Sequence, residues 1–569
     1  MIIEIPTHEH AITPRGAQFE IDMIPFEYGK RVNIEYSSLE EDKLLDWPMV
    51  YILANKDSAY VGQTTSVATR INQHEANEEK RDFTTVNIIY NEEFNASVIT
   101  DYEHRLIGLM QADGKYRLTN KNEGMTRTNY FSKRIYSNMF EELWEELRAM
   151  DLAKHTIDQI EESEVFKYSP YKGLTADQRI ALERIMSVII NGINQAQPIV
   201  IEGMPGTGKT VLAVYLMKML KDDPRFSDMN IRLIEPVTSL RNTLQKTVST
   251  VSGMKKTDVM GPADLAKEAY GFSHSSGKCF DIVLVDEAHK LKQRVNLGTQ
   301  FGNYDKTCAK LGLPKGSTQI DWVLSQAKLP IFFYDPLQAV GPSCVGSKAI
   351  STTLGAAASN PIRLDSQMRV KGGKGYLEFI LDILNGKQPA AKQFEGYDLV
   401  LHETPEGFAK SFEGTLAEHS LSRMVAGYAW KWKTKDSKSS EGVYDIDLGT
   451  VHLRWNHTYY DWVGKGANDP AIAHEVGCIH SIQGYDLSYA YVIIGNDLTL
   501  DSTSGELVAN SASYFDRNGK ATATQEELAQ YIKNIYYVLL TRGIYGTHVY
   551  VANPELREHL RRFFVNVAS

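Results

Sequence analysis

Residues 198–220 read PIVIEGMPGTGKTVLAVYLMKML, and the fold turns on this stretch. A short apolar run, PIVIE, passes into the glycine loop GMPGTGKT at 203–210 and then into an apolar helical segment. Strand, glycine loop and helix in that order are what a phosphate-binding loop requires. Gly203, Gly206 and Gly208 let backbone N–H groups close around phosphate oxygens. Lys209 brings positive charge to the outer phosphates, and the Thr210 hydroxyl is a ligand for Mg²⁺. A plain glycine turn at a helix start is the competing reading, and it leaves the lysine and threonine unexplained.

Outward from the loop, apolar runs alternate with helical stretches: NIRLIEP, FDIVLVDE, LPIFFYD, NPIRLDS, AYVIIGN and THVYVAN. Buried runs separated by helices predict α/β architecture, with enough strands for two parallel sheets covered on both faces. VLVDEAH at 283–289 ends one of these runs in two acids. Asp286 is expected to hold Mg²⁺ through water, and Glu287 to orient or deprotonate the water that attacks the γ-phosphate. An ordinary acidic helix start is the alternative, weakened by the loop upstream.

Further motifs follow in a fixed order. Gln178 stands in LTADQRIALERI, Gln338 ends YDPLQ, and Arg369 lies in LDSQMRV. Gln483 and Gly484 fall in GCIHSIQGYD, and Arg542 in YVLLTRG. Together these resemble the motif series of superfamily 1 helicases, whose core is two RecA-like parallel-sheet lobes. The resemblance implies that Gln178 reads adenine and Gln338 senses the γ-phosphate. It implies that Gln483 and Gly484 couple nucleotide to bound strand. Arg542 and Arg369 become arginine fingers, Arg369 from the second lobe. A site completed by cations from a second lobe gains charge neutralisation only when the lobes close, which a translocating motor needs. LDSQMRVKGGKGYLEFILDIL, AGYAWKW and NIYYVLLTRGIYGTHVYV narrow the likeness to the prokaryotic Schlafen-related DNA/RNA helicase family, over roughly residues 175–560. Tyr537 departs from that family's last motif, where an arginine is expected. Trp430, Trp432, Trp455 and Trp462 allow two readings: stacking on single-stranded bases, or packing, which is commoner for large aromatics.

The N-terminal region carries a second site. MVYILANKDSAYVGQTTSVATRINQHEA at 49–76 reads as strand, turn, strand and a helix capped near Ser66. Arg70 and His74, four apart, share one helix face. This resembles the GIY-YIG nuclease fold, a small α+β domain. MVY stands where GIY is expected and YVG where YIG is, with Met49 and Val50 departing from the pattern. The resemblance implies Tyr51 or Tyr60 as base or relay and Arg70 as phosphate clamp. His74 positions or accepts a proton, and Glu103 in VITDYEHRLIG is ligand of a single Mg²⁺ or Mn²⁺. Asn120 completes the pattern. Phosphodiester cleavage needs these parts: an activated water, a cation for developing charge and a metal on the leaving oxygen.

The bulk numbers are compatible. The 569 residues exceed one core, and 43% hydrophobic with 23% charged is ordinary for a globular protein. A formal charge of −10 excludes a uniformly basic surface, not a local basic groove. Cys279, Cys308, Cys344 and Cys478 fall at no metal or disulfide spacing and suit a reducing cytoplasm. No signal peptide or membrane span is read, and His8 and His10 are incidental. The expected layout is an extension (1–45), a nuclease-like domain (46–126) and an acidic helical connector (127–172), then lobe 1 (173–360) and lobe 2 (361–569). KTKDSKSSEG at 433–442 reads as an exposed loop. The expected function is an ATP-dependent DNA helicase or translocase fused to a metal-dependent endonuclease, with ATP and Mg²⁺ as cofactors and nucleic acid, DNA with a single-stranded tract, as partner. By analogy, such fusions serve bacterial genome or antiviral defence. The alternatives are a remodelling machine whose N-terminal module binds without cutting, and an RNA-directed enzyme.

Overall fold

The computed structural model describes residues 22–27, 46–120, 130–162, 168, 174–194, 196–251, 253–273, 277–436, 442–457, 462–463, 472–482, 485–501 and 504–569. The chain divides into two compact units. One holds the region through Leu174 with Val214–Asp228 and Asn242–Val259; the other holds Thr175–Ala213, Met229–Arg241 and Met260–Ser569. Gln483, Gly484, His8, His10 and residues 437–441 of the polar loop lie outside the described residues.

The first unit contains a five-stranded sheet. Its order is β1 (Asp22–Glu27), β4 (Thr85–Tyr90), β2 (Met49–Ala54), β3 (Ser58–Thr64) and β5 (Arg117–Leu118). β2 is buried along its whole length, so its sequence is continuously apolar rather than alternating. The β2–β3 hairpin closes through Asn55, whose Oδ1 accepts from the backbone N–H groups of Asp57 and Ser58. Its antiparallel register places Tyr51 opposite Gly62. Two helices, Val67–Glu75 and Ala96–Asp113, flank the sheet's functional residues. Ser66 occupies the first cap position, but its hydroxyl donates to Thr69 Oγ1 and caps no backbone group. Asn95 caps the second helix through Ser97 and Val98. β1 comes from the N-terminal extension (1–45), so that segment contributes a strand to this sheet.

In the second unit a six-stranded sheet runs β11 (Ile362–Leu364), β6 (Ile199–Gly203), β10 (Ala327–Tyr334), β9 (Phe280–Val285), β7 (Ile231–Ile234) and β8 (Val259–Met260). Neighbours from β11 through β7 are parallel. The second sheet has eight strands: β14 (Ile446–Asp447), β15 (His452–Trp455), β16 (Glu475–Gly477), β13 (Arg423–Ala426), β17 (Leu487–Ile494), β20 (Gly543–Val551), β12 (Asp398–His402) and β21 (Asn566–Ala568). It is parallel except where β14 meets β15. A short hairpin, β18 (Leu498–Leu500) and β19 (Leu507–Ala509), is separate. Ile282 to Val285 in β9 are fully buried, as are Val492 and Ile493 in β17; each such side chain contributes about 1.5–3 kcal/mol. All seven apolar runs read from the sequence lie on strands of these two sheets.

The order of the first sheet sets the carboxyl ends of β6, β10 and β9 side by side. Gly203 ends β6, Asp335 follows β10 and Asp286 follows β9. Ligands of open parallel sheets collect at that edge.

Candidate active sites

At the edge of the first sheet, the glycine loop joins β6 to the helix Lys209–Asp222. Gly206 and Gly208 adopt φ +81° and +74°, a region L side chains rarely enter. Space forbids a side chain as well: a Cβ on Gly206 would fall 2.2 Å from Gln367 Oε1, and one on Gly208 2.3 Å from Gln178 Nε2. Lys209 is buried; its Nζ donates to Gly203 O at 2.7 Å and Met204 O at 3.0 Å and lies 3.7 Å from Asp335.

Asp286 is fully buried, and neither carboxylate oxygen has a hydrogen-bond acceptor role filled by a well-formed protein donor. Burial and the Glu287 charge raise its pKa, with Thr210 and Lys209 pulling the other way. Glu287 lies at φ +45°, a strain on the order of 1–3 kcal/mol for a non-glycine residue. Burial works to raise its carboxyl, but His289, 2.7 Å away, and Lys209 outweigh it and hold Glu287 below the ordinary range. The pair is thus split in affinity for protons, because the two environments push the two carboxyls apart.

Gln338 is held by Asp335, which accepts from its Nε2 at 2.6 Å. Its Oε1 accepts from Arg542 Nη2 at 3.4 Å, and its backbone carbonyl accepts from Lys290 Nζ at 2.7 Å. Arg542 also reaches Tyr485 O. Arg542 stands just before β20 of the second sheet, so both sheets contribute to one cluster. Arg369 is ion-paired with Asp486. It follows β11, which pairs in parallel with β6 at the edge of the first sheet, and precedes Val370, which packs in the core of the second, so it stands where the two sheets meet. The run NPIRLDS is short and gave no sign of which sheet it would join. Gln367 Nε2 donates to Pro205 O at 2.6 Å and Met368 N to Gly206 O at 2.9 Å, so this segment lies directly on the glycine loop.

Sequence reasoning missed two acids here. Asp335 contacts both Lys209 and Gln338. Asp177 accepts from the backbone N–H groups of Asp365 and Ser366 at 2.7 and 2.9 Å and from the Ser366 hydroxyl. Burial opposes ionisation of Asp177, but the Thr175 and Ser366 donors overcome it and hold the carboxyl well below its usual range. The neighbouring motif glutamines were the only available signal for either.

A cavity of about 820 Å³ opens where Tyr428, Trp430, Lys431, Trp432, Lys435 and Trp455 meet Lys292, Cys344, His480 and Arg517. Trp430 and Trp432 are half-buried on its wall, whereas Trp455 is buried. Trp462 packs in the core and is not part of the wall. Tyr537 is likewise a buried core residue. The four cysteines are free thiols.

In the first unit, Tyr51, Tyr60 and His74 form one cluster. The Tyr51 hydroxyl is hydrogen-bonded to His74 Nε2 at 2.7 Å, and the three ring centroids lie 5.4–6.3 Å apart. Gly62 permits this, because a Cβ there would fall 2.3 Å from the Tyr51 hydroxyl. Burial raises the Tyr51 phenol well above its ordinary value, with Tyr60 adding and the Arg70 guanidinium opposing. Burial, Lys80 and Arg70 together lower His74 to about 4, so it is a neutral acceptor at physiological pH. Lys80 Nζ sits 3.2 Å from the centre of the Tyr60 ring. Burial raises the Glu103 carboxyl, while Gln63 and Arg70 draw it back; Gln63 in turn accepts from Thr100 Oγ1 at 3.1 Å. Lys80 and Gln63 were not singled out in the sequence. Asn120 accepts from Val61 N and donates to Val61 O at 3.0 and 2.7 Å, fixing β3. The structure therefore gathers Tyr51, Tyr60, Arg70, His74 and Glu103 around one locus.

Among the described residues no group of three or more His, Cys, Asp or Glu could hold a metal. One or two protein oxygens with substrate and water completing the shell is the usual arrangement for Mg²⁺, and Asp286 with Thr210, or Glu103, fits it. Among the described residues no helix is long and apolar enough to cross a membrane.

A family model for the Schlafen group 3 DNA/RNA helicase domain matches residues 196–553, and one for the GIY-YIG catalytic domain matches residues 48–117. An uncharacterised protein of Saccharomyces cerevisiae is 24% identical over 448 residues, covering 68% of this chain and 90% of its own. Among solved structures, an arterivirus nonstructural protein 10 helicase is similar at 12% identity and TM-score 0.28, over 65% of this chain and 64% of that one. The AMPPCP-bound DnaA of Aquifex aeolicus is similar at 16% identity and TM-score 0.20, over 38% of this chain and 55% of that one.

Proposed function

The chain belongs to the Schlafen group 3 DNA/RNA helicase family, and on that premise we propose that it is an ATP-driven nucleic-acid motor whose N-terminal GIY-YIG domain cuts phosphodiesters. The proposed layout is a nuclease-like domain of 46–126 with Asp22–Glu27 of the extension on its sheet edge, connector 127–172, and two lobes meeting near residue 360. The observation that carries the motor reading is the cluster joining Lys209, Asp335, Gln338 and Arg542 across two sheets. Lys209 binds the outer phosphates, Glu287 takes the proton of the attacking water, and Gln338 orients that water. Arg542 and Arg369 stabilise charge as it develops on the γ-phosphoryl group. Asp286 and Thr210 would hold Mg²⁺, which supplies charge neutralisation on the phosphates. The aromatic and basic cavity of Trp430, Trp432, Lys431 and Lys435 suits a single strand, by stacking and by phosphate contact. His480 on its wall belongs to the motif that also carries Gln483 and Gly484, a route by which strand and nucleotide sense one another.

In the nuclease, water gives its proton to Tyr51 as Tyr51 passes its own to neutral His74. Arg70 clamps the phosphate with its planar fork of donors. Glu103 would hold Mg²⁺ or Mn²⁺, which stabilises the leaving oxygen. DNA with a single-stranded tract is the proposed substrate and bacterial genome defence the proposed setting. The test is cleavage and ATPase of the full chain on plasmid, linear and forked DNA and on matching RNA. ATPase stimulation by a strand with metal-dependent cutting is expected. ATPase indifferent to every nucleic acid overturns the motor reading, and absence of cutting on all substrates leaves a binding module.

A further inference from the structure

We infer that the nucleotide site does not select by base: Gln178 is a positioning residue of the glycine loop, and nucleoside triphosphates of all four bases are substrates. The inference rests on reading this site as a nucleoside triphosphatase. A carboxamide that reads adenine needs its N–H and its oxygen turned to the base. In Gln178 both ends are engaged within the chain. Nε2 donates to Thr207 O at 2.9 Å and to Gly208 O at 3.3 Å, while Oε1 accepts from Thr175 N at 2.9 Å inside the helix capping box. The residue is 0% exposed.

Nor is the carboxamide poised to swing out. It is seated against Gly208 so closely that a Cβ there would lie 2.3 Å from Nε2. The helix that bears it, Ala176–Asn191, is pinned at its start, since Asp177 binds the backbone of Asp365 and Ser366. Turning Gln178 outward breaks these bonds and strands the Thr207 carbonyl without a donor, while Gly208 O keeps the helix bond from Leu212 N. The residue standing beside it on Gly208 is Met368, whose Cε would lie 2.4 Å from a Cβ at that glycine and which is 40% exposed. A thioether offers a polarisable face to any ring and no hydrogen-bond code. Sites that read hydrogen bonds reject an analogue lacking them by on the order of 10⁴-fold, whereas apolar contacts discriminate by about 10–200-fold at most. A face contact common to all bases falls at the lower end of that range.

The experiment compares ATP, GTP, CTP and UTP on the full chain and on Gln178→Ala. Hydrolysis is read as kcat/KM by phosphate release, and binding by displacement of a fluorescent ATP analogue. The four nucleotides are expected to agree within about tenfold in both readouts. Gln178→Ala should raise KM for all four by a common factor and leave their ratios unchanged, which separates a loop-positioning role from base reading. A preference for ATP of about 100-fold or more in binding overturns the inference, hydrolysed or not, as does a variant that weakens ATP alone. Equal displacement by four nucleotides without hydrolysis of any upholds binding without base selection but overturns the motor reading and, with it, their being substrates. Displacement by none overturns both.

Discussion

The proposed ATP site gathers its side chains from segments spread between Gln178 and Arg542, while the proposed nuclease site draws its own from the hairpin and two helices between Tyr51 and Glu103. The first depends on tertiary approach. Asp335 orients Gln338, Asp177 ties the segment before Arg369 to a helix start, and Arg542 arrives from the second sheet. The second is preformed by local register, with Tyr51 held across from Gly62 and His74 one helix turn from Arg70. A site assembled from distant parts can respond to closure and so to a bound strand. A site fixed by a hairpin does not depend on such closure.

The sharpest break in this comparison is Lys209→Ala. It should reduce ATP hydrolysis by more than about 10³-fold, since no other cation of the glycine loop reaches the outer phosphates. Basal nicking should remain. Phosphate release and plasmid nicking measured on one preparation decide the matter, and joint loss of both activities means the two sites are not independent.

Arg369→Ala and Arg542→Ala come next, each with a fall in kcat on the order of 10³-fold and a smaller change in ATP binding, because they act on transition-state charge. Arg369 leaves the edge of the first sheet and Arg542 the second. Equal rates in wild type and Arg542→Ala would remove the second sheet from the chemistry.

For the nuclease, Glu103→Ala should lower cutting on the order of 10²-fold or more while ATPase is unchanged, and EDTA should stop cutting by the wild type. Equal cleavage by the variant and wild type, with Mg²⁺ and with Mn²⁺, would place the metal elsewhere. Gly62→Ala has a smaller expected effect: Tyr51 must shift, at about 1–3 kcal/mol of domain stability read by denaturant melting. A full-stability Gly62→Ala protein would show that the hairpin has slack beside Tyr51.

The two sites also differ in how much of them the sequence displays. A parallel sheet buried on both faces writes itself as continuous apolar runs, so β6, β9, β10, β17 and β20 are visible directly. β13 is not, because its Arg423 is buried and satisfied by the carbonyls of Ser420, Ser422 and Val463, and a charge in a run reads as surface. Motif residues are visible through their order, but their partners are not. Asp177, Asp335 and Gln63 are single polar residues that gain a role only from what folds against them. Gln178 shows the limit most plainly: its motif announces a base reader, and its carboxamide is spent on the loop. The contribution of Asp22–Glu27 to the nuclease sheet is an edge pairing, carried by backbone hydrogen bonds with no motif of their own.

The smallest effect tests whether the nuclease site is as preformed as its register implies. His74 is lowered to about 4 by burial first and then by Lys80 and Arg70. A histidine lowered in this way is neutral and able to accept a proton above its folded pKa, and it loses that ability as pH falls through it. Cutting should therefore persist below the ordinary histidine value of about 6.5, with its acid limb near 4. The same shift costs stability in acid, because unfolded chains take up a proton near 6.5 that the folded site refuses until near 4; folding weakens across that window. Lys80→Gln removes a positive neighbour and should move the acid limb upward by a fraction of a unit to about one unit. It should stay below 6.5, since burial, the larger cause, is untouched. The measurement is the pH dependence of kcat/KM for cleavage by the two proteins at fixed ionic strength. An acid limb at 6.5 in the wild type would mean that His74 opens to water in solution. A limb that does not move in Lys80→Gln would mean that the lysine held 3.2 Å from the Tyr60 ring does not act on His74 at all.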